Sequence, residues 1–96
     1  MNYAAGIKKA REHANLSKRK LASLAGFDTS YIGLLESGKR VPSLEALESI
    51  AKATMTPMGL LLLLCAEDND LKGLRSREAR TLTENLQRLL DDTKND

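Results

Sequence analysis

Apolar residues in the first half of the chain return every three or four positions, which is the spacing of one face of a helix. Tyr3, Ile7, Ala10 and Ala14 form the first such series, so a helix is expected from near Asn2, a candidate cap, to about His13. Asn15 can take the left-handed conformation that ends it. Ser17 is a good N-cap for a second helix, whose Leu21, Ala22, Leu24 and Ala25 face inward until Gly26 breaks it. Asp28 caps a short third helix that buries Ile32 and Leu35 and stops at Ser37 and Gly38.

Beyond the loop of Lys39, Arg40, Val41 and Pro42, Ser43 caps a fourth helix with Leu44, Leu47, Ile50 and Ala51 on its inner face. Thr56 followed by Pro57 reads as a cap and a first helical position, opening a fifth helix that carries the leucines of residues 60–64. That helix is apolar all round and needs cover on more than one side. Glu67, Asp68, Asn69 and Asp70 make an acidic break, and Gly73 is a candidate hinge. A last helix is expected over residues 76–92, where Ala79, Leu82, Leu86 and Leu89 form a narrow seam suited to packing on another helix. The chain thus divides into a five-helix unit, residues 1–66, and a hinge with one C-terminal helix, residues 67–96.

Composition agrees with helices throughout. Eighteen leucines and eleven alanines stand against one valine, three isoleucines and no tryptophan. Strands favour β-branched and aromatic side chains, so the fold class is all-α and a β-sandwich or barrel is excluded. At 96 residues the chain suffices for one core and not for two. The net charge of +2 conceals an asymmetry: residues 1–40 hold eight Lys/Arg and three Asp/Glu, whereas residues 41–96 hold seven and ten. The first half is therefore +5 and the second −3, which places a basic face for a polyanion on the first half.

Chemistry beyond this is sparse. His13 and Cys65 are single of their kind and fall on different helices, with no second cluster to complete a metal site or a catalytic dyad. Cys65 cannot close an internal disulfide and reads as a small buried hydrophobe. The carboxylates of Glu67, Asp68 and Asp70 lack the spacing of a calcium loop and read as a solvated break; no phosphate-binding glycine loop is present. No catalytic residue, metal, cofactor or small-molecule ligand is expected, and the protein is not read as an enzyme. The start of the chain carries no apolar stretch like a signal peptide, and the longest apolar run is about a third of the ~20 residues a membrane-spanning helix needs. A cytoplasmic location without membrane contact is the expectation.

Residues 17–38 place two short helices around a tight glycine turn. Ala22 is small enough for the helices to approach closely, Gly26 supplies a positive φ, and Ile32 with Leu35 fills the angle between them. Leu16, Ser17, Lys18 and Ala22, then Ala25 and Gly26, Ser30, Tyr31 and Ile32, the run from Leu35 to Arg40, and Pro42, Ser43 and Leu44 together resemble the phage-repressor/Cro-type (XRE-like) helix-turn-helix family. The resemblance covers roughly residues 7–64 and implies a five-helix repressor-like domain, commonly dimeric, whose third helix enters the major groove of duplex DNA.

Carried over position by position, the resemblance places Thr29, Ser30, Gly33 and Leu34 toward the bases. It places Lys18, Tyr31, Ser37, Lys39 and Arg40 near phosphates, and makes Arg11 and Glu36 a partly buried ion pair. Two departures stand out. Glutamine and acidic residues are usual after the cap of the second helix, but here Lys18, Arg19 and Lys20 follow Ser17. Cations there oppose the helix dipole by about 0.3–1 kcal/mol each, so Arg19 joins the residues expected to meet phosphates. The third helix also holds no Arg, Asn or Gln for a bidentate base contact. Base reading then falls to the hydroxyls of Thr29 and Ser30 and to Leu34 against a thymine methyl; the outcome is either modest specificity with shape readout or a surface serving another partner.

The function expected is a duplex-DNA-binding transcriptional regulator, a repressor working as a homodimer on a palindromic site, with Leu82, Leu86 and Leu89 as the dimerisation seam. A regulatory protein partner, concentration or proteolysis would control it. The alternative is a protein-interaction module of antitoxin or adaptor type that keeps the helix-turn-helix shape.

Overall fold

The computed structural model describes residues 1–70, together with Arg80, Thr81, Glu84, Asn85 and Arg88, which are helical and exposed. Leu82, Leu86 and Leu89 lie outside the described residues. Five helices follow one another in residues 1–70: α1 (Tyr3–His13), α2 (Lys18–Ala25), α3 (Thr29–Glu36), α4 (Leu44–Ala53) and α5 (Met58–Cys65). No strand is present among the described residues, and no single helix there is long and apolar enough to cross a membrane.

The helices begin where short polar side chains can satisfy their free N–H groups. Asn2 Oδ1 accepts from the Ala5 N–H, Ser17 Oγ from Lys20 and Ser43 Oγ from Ala46, each at 3.0–3.1 Å. Asp28 is different. Its backbone is extended, as an N-cap requires, and its carbonyl accepts from Tyr31, but its carboxylate makes no capping bond. Asn15 takes φ 58° after α1, and Gly26 takes φ 81° after α2. The turn between α2 and α3 therefore rests on the one residue type that reaches this conformation without steric cost.

Two leucines expected to face inward and the start of α5 depart from expectation: Leu24 of α2 and Leu44 at the first position of α4 are 53% and 64% exposed, off the faces that pack. Thr56 is not the cap of α5: the helix begins at Met58 with Pro57 in the cap position, whose carbonyl accepts from Leu61. The Thr56 hydroxyl turns inward to within 3.0 Å of Thr54 Oγ1, in hydrogen-bond reach of it, and Thr54 Oγ1 lies 2.8 Å from the Ile50 carbonyl oxygen. Both hydroxyls are buried, and a buried hydroxyl without a partner would cost more than a missing cap. Met55 sits between them at φ 55° with its side chain 90% exposed.

All five helices contribute to one core. Its largest fully buried side chains are Ile7 of α1, Leu21 of α2, Ile32 and Leu35 of α3, Ile50 of α4, and Leu61 and Cys65 of α5. Each buried Leu or Ile stabilises the fold by roughly 1.5–3 kcal/mol. α1 packs on α3 and α5, α2 on α3 and α4, and α4 on α5, with a turn of 110° between the last two. Helix α5 lies against both α1 and α4: Leu61 and Cys65 are buried and Met58, Leu62 and Leu64 pack on the core, while Leu60 and Leu63 are partly exposed and lie outside the core cluster.

The α1–α5 contact is close enough to demand glycine. A Cβ on Gly6 would stand 2.9 Å from the backbone N and Cα of Cys65 and would run into its Sγ. The Asn2 N–H donates to the Cys65 carbonyl at 2.6 Å on the same seam. The acidic break is likewise not merely solvated. The Met1 amino group lies 2.7 Å from Asp70 Oδ2 and 3.3 Å from Glu67 Oε1, and the hydrogen bond holds the exposed Asp70 carboxyl below its ordinary range.

Candidate nucleic-acid interface

Helix α3 has only eight residues, and two of them, Ile32 and Leu35, are spent wholly on the core. At about 100° per residue the opposite side of the helix carries Ser30, Gly33 and Ser37, flanked by Thr29 and Leu34. Thr29, Ser30 and Ser37 are exposed; Gly33 and Leu34 are half-buried, and Leu34 is absent from the core cluster. A Cβ on Gly33 would meet nothing within 4 Å. Nothing among the described residues therefore calls for glycine at a mid-helix position where it costs ~1 kcal/mol relative to alanine.

The turn after α3 is gathered onto a single oxygen. The Leu34 carbonyl accepts from the Lys39 and Arg40 N–H groups at 3.0 and 3.2 Å, and from Ser37 Oγ at 3.1 Å. Gly38 makes the reversal possible at φ 77°. Lys39 and Arg40, both exposed, are thereby fixed beside the outward face of α3. The guanidinium carbon of Arg40 lies 5.8 Å from the centre of the Tyr31 ring, which rests on Phe27 with centroids 4.9 Å apart. Such a cation–π contact contributes about 0.5–1 kcal/mol at an exposed site and orients the charge. Tyr31, half-buried by packing against the core, thus supports Arg40. Phe27 has no place in the expected site; it stands in the turn before α3, where no helical spacing announces its pairing with Tyr31.

Lys18, Arg19 and Lys20 are all exposed on the first turn of α2, with no acidic residue in that turn. Their positive charges add to the positive end of the helix, which favours an anion there and disfavours the free state.

Arg11 ties α1 to this region. Its Nε and Nη2 donate to the two carboxylate oxygens of Glu36 at 2.7 and 2.9 Å, and its Nη1 donates to the Leu16 carbonyl at 2.9 Å. The side chains are 12% and 3% exposed. The hydrogen bond to Glu36 raises the Arg11 pKa despite the opposing effect of burial. The last residue of α3 is therefore anchored to α1 and to the loop that leads into α2.

Elsewhere the chemistry is thin. Among the described residues no three of His, Cys, Asp and Glu come together in a group able to hold a metal ion. Cys65 is fully buried, and burial pushes its thiol pKa up to about 11.

Two short helices joined at a left-handed glycine, with a small exposed face on the second and exposed cations at the start of the first and after the second, define a helix-turn-helix DNA-binding domain. A family model described as helix-turn-helix matches residues 7–61, more than half of the chain. The chain belongs to the helix-turn-helix family of Cro/repressor (XRE) type, a family of DNA-binding transcription regulators. No curated protein matches the sequence as a relative.

Proposed function

We propose that the chain is a transcriptional repressor that binds a palindromic duplex operator as a homodimer in the cytoplasm. The observation that carries the reading is the exposed face of α3 together with two groups of exposed cations, one on the first turn of α2 and one held in the turn after α3. Thr29, Ser30, Gly33 and Leu34 face base edges. Lys18, Arg19, Ser37, Lys39 and Arg40 meet phosphates, with Tyr31 holding Arg40 in place. Phosphate contacts set register and most of the affinity, and base contacts set the sequence.

Dimerisation draws on the leucine seam of Leu82, Leu86 and Leu89 and on the half-exposed Leu60 and Leu63 of α5. A two-fold pair would set two copies of α3 about 34 Å apart, one turn of DNA. Selection from a random-sequence duplex pool at physiological salt tests both parts. The expected result is an enriched palindrome with half-sites about ten base pairs apart, and a dimer mass by light scattering at tens of micromolar. A monomer there refutes the dimer.

The rival reading, an adaptor or antitoxin-type interaction module, is favoured by the exposed Met55, Val41 and Leu44 and by the lack of bidentate base-reading side chains on α3. Failure to retain any duplex over nonspecific competitor selects that rival.

A further inference from the structure

If α3 does enter the groove, its chemistry determines which feature of the bases it can read. The faces it offers are two hydroxyls, a bare stretch of helix backbone at Gly33, the Ser37 hydroxyl, which already donates to the Leu34 carbonyl, and the side chain of Leu34. None of these can form the paired donor and acceptor that distinguishes guanine or adenine in the major groove. Leu34 carries by far the largest apolar group among them, beside the single γ-methyl of Thr29. Though partly buried, it lies outside the core cluster, so core packing among the described residues does not account for a leucine there. Gly33, next to it, leaves open space where any other residue would place a Cβ.

The major groove displays one apolar group, the C5-methyl of thymine. We infer that this domain recognises its half-site chiefly through thymine methyls: Leu34 packs against one, and the missing side chain at Gly33 lets the base edges come close enough for that contact. The inference rests on the DNA-binding reading above and deepens it by naming the chemical feature that is read. The Leu34 carbonyl also holds the Lys39 and Arg40 backbone, so the methyl contact and the phosphate grip share one rigid register.

The test uses the full chain and the duplex enriched from the random pool, prepared with thymine or with every thymine of the half-sites replaced by deoxyuridine, which differs by the methyl alone. Wild-type protein is expected to lose about fourfold in affinity per methyl read, the factor corresponding to about 0.8 kcal/mol for one buried CH₂-sized group. Leu34→Ala, folded by circular dichroism, is expected to bind both duplexes alike. A second variant guards against a general loss of fit: Gly33→Ala should melt at a higher temperature than wild type and bind the thymine duplex at least tenfold more weakly.

Equal affinity of wild type for the two duplexes overturns the inference and leaves DNA binding standing. So does an equal loss on deoxyuridine in wild type and Leu34→Ala. Undiminished binding by Gly33→Ala overturns the close approach. Failure of wild type to bind any selected duplex overturns the DNA-binding reading itself, and the inference with it.

Discussion

Substituting Arg11 by Met keeps the length of the side chain and removes its charge, leaving the Glu36 carboxylate 3% exposed with neither of its two donors. Removing one partner of such a buried pair costs about 3–5 kcal/mol, because the remaining charge is desolvated and uncompensated. The Leu16 carbonyl is deprived of its bond to Nη1 as well, adding roughly 1 kcal/mol. A domain of this size is stable by roughly 5–15 kcal/mol, so Arg11→Met should remove a large share of the total. At about 4–8 °C per kcal/mol for a domain of 60–100 residues, the melting temperature should fall by more than ten degrees. The double variant Arg11→Met/Glu36→Leu should recover most of that stability, since apolar groups of similar volume replace a buried ion pair at little net cost. Urea unfolding followed by circular dichroism gives the four corners of the cycle, provided the slope with denaturant is unchanged. A coupling energy below about 0.5 kcal/mol, or a double variant as unstable as the sum of the singles, would refute the reasoning.

Gly6→Ala should destabilise the fold by roughly 1–3 kcal/mol in thermal melts even though alanine is the better helix former, because the new methyl meets the Cys65 backbone; an unchanged melting temperature contradicts that packing. For Cys65, a thiol pKa raised to about 11 in the fold from 9.0 means that stability is complete below pH 9. It then declines as pH climbs through 11, by up to roughly 3 kcal/mol. Cys65→Ala should flatten the decline between pH 9 and 11 seen in urea titrations of the parent. At pH 8 a thiol-specific reagent should label Cys65 only as fast as the protein opens. Lys18→Ala/Arg19→Ala should reduce the slope of log affinity against log salt by roughly 2, near 0.9 for each phosphate no longer neutralised, and a slope equal to the parent's would show that these cations stay in solvent.

Much of the fold is written in local signals. Asn2, Ser17 and Ser43 are readable as caps, and Asn15 and Gly26 as helix ends, because each acts on backbone groups within a few residues of itself. The helix-turn-helix pattern likewise falls within some twenty consecutive residues. What escapes a reading of the sequence depends on partners far away or on competition between two uses of one group. Nothing about Gly6 announces a neighbour at position 65, so a tightly fitted helix contact reads as an ordinary weak spot in α1. Thr56 has the profile of a cap, yet its hydroxyl is drawn inside to Thr54, and Met55 is carried to a positive φ that methionine does not advertise. Glu67 and Asp70 have the look of solvent-facing charges, but the fold brings the chain start beside them. In the candidate site the residue types and their order are legible. The Leu34 carbonyl with its three donors and the support of Arg40 by Tyr31 are not, because backbone acceptors and ring faces leave no mark in a sequence.

The two-sided economy of α3 has an evolutionary consequence. Ile32 and Leu35 carry the packing, and Glu36 carries the anchor, while the side chains of Thr29, Ser30 and Leu34 and the bare Gly33 are free of any structural duty in the described residues. On the proposed DNA-reading role of α3, mutations at those four positions can drift, combine and be selected for new base preferences without first being compensated in the core. A lineage built on this scaffold can therefore diverge into repertoires of regulators by exchanging a handful of codons.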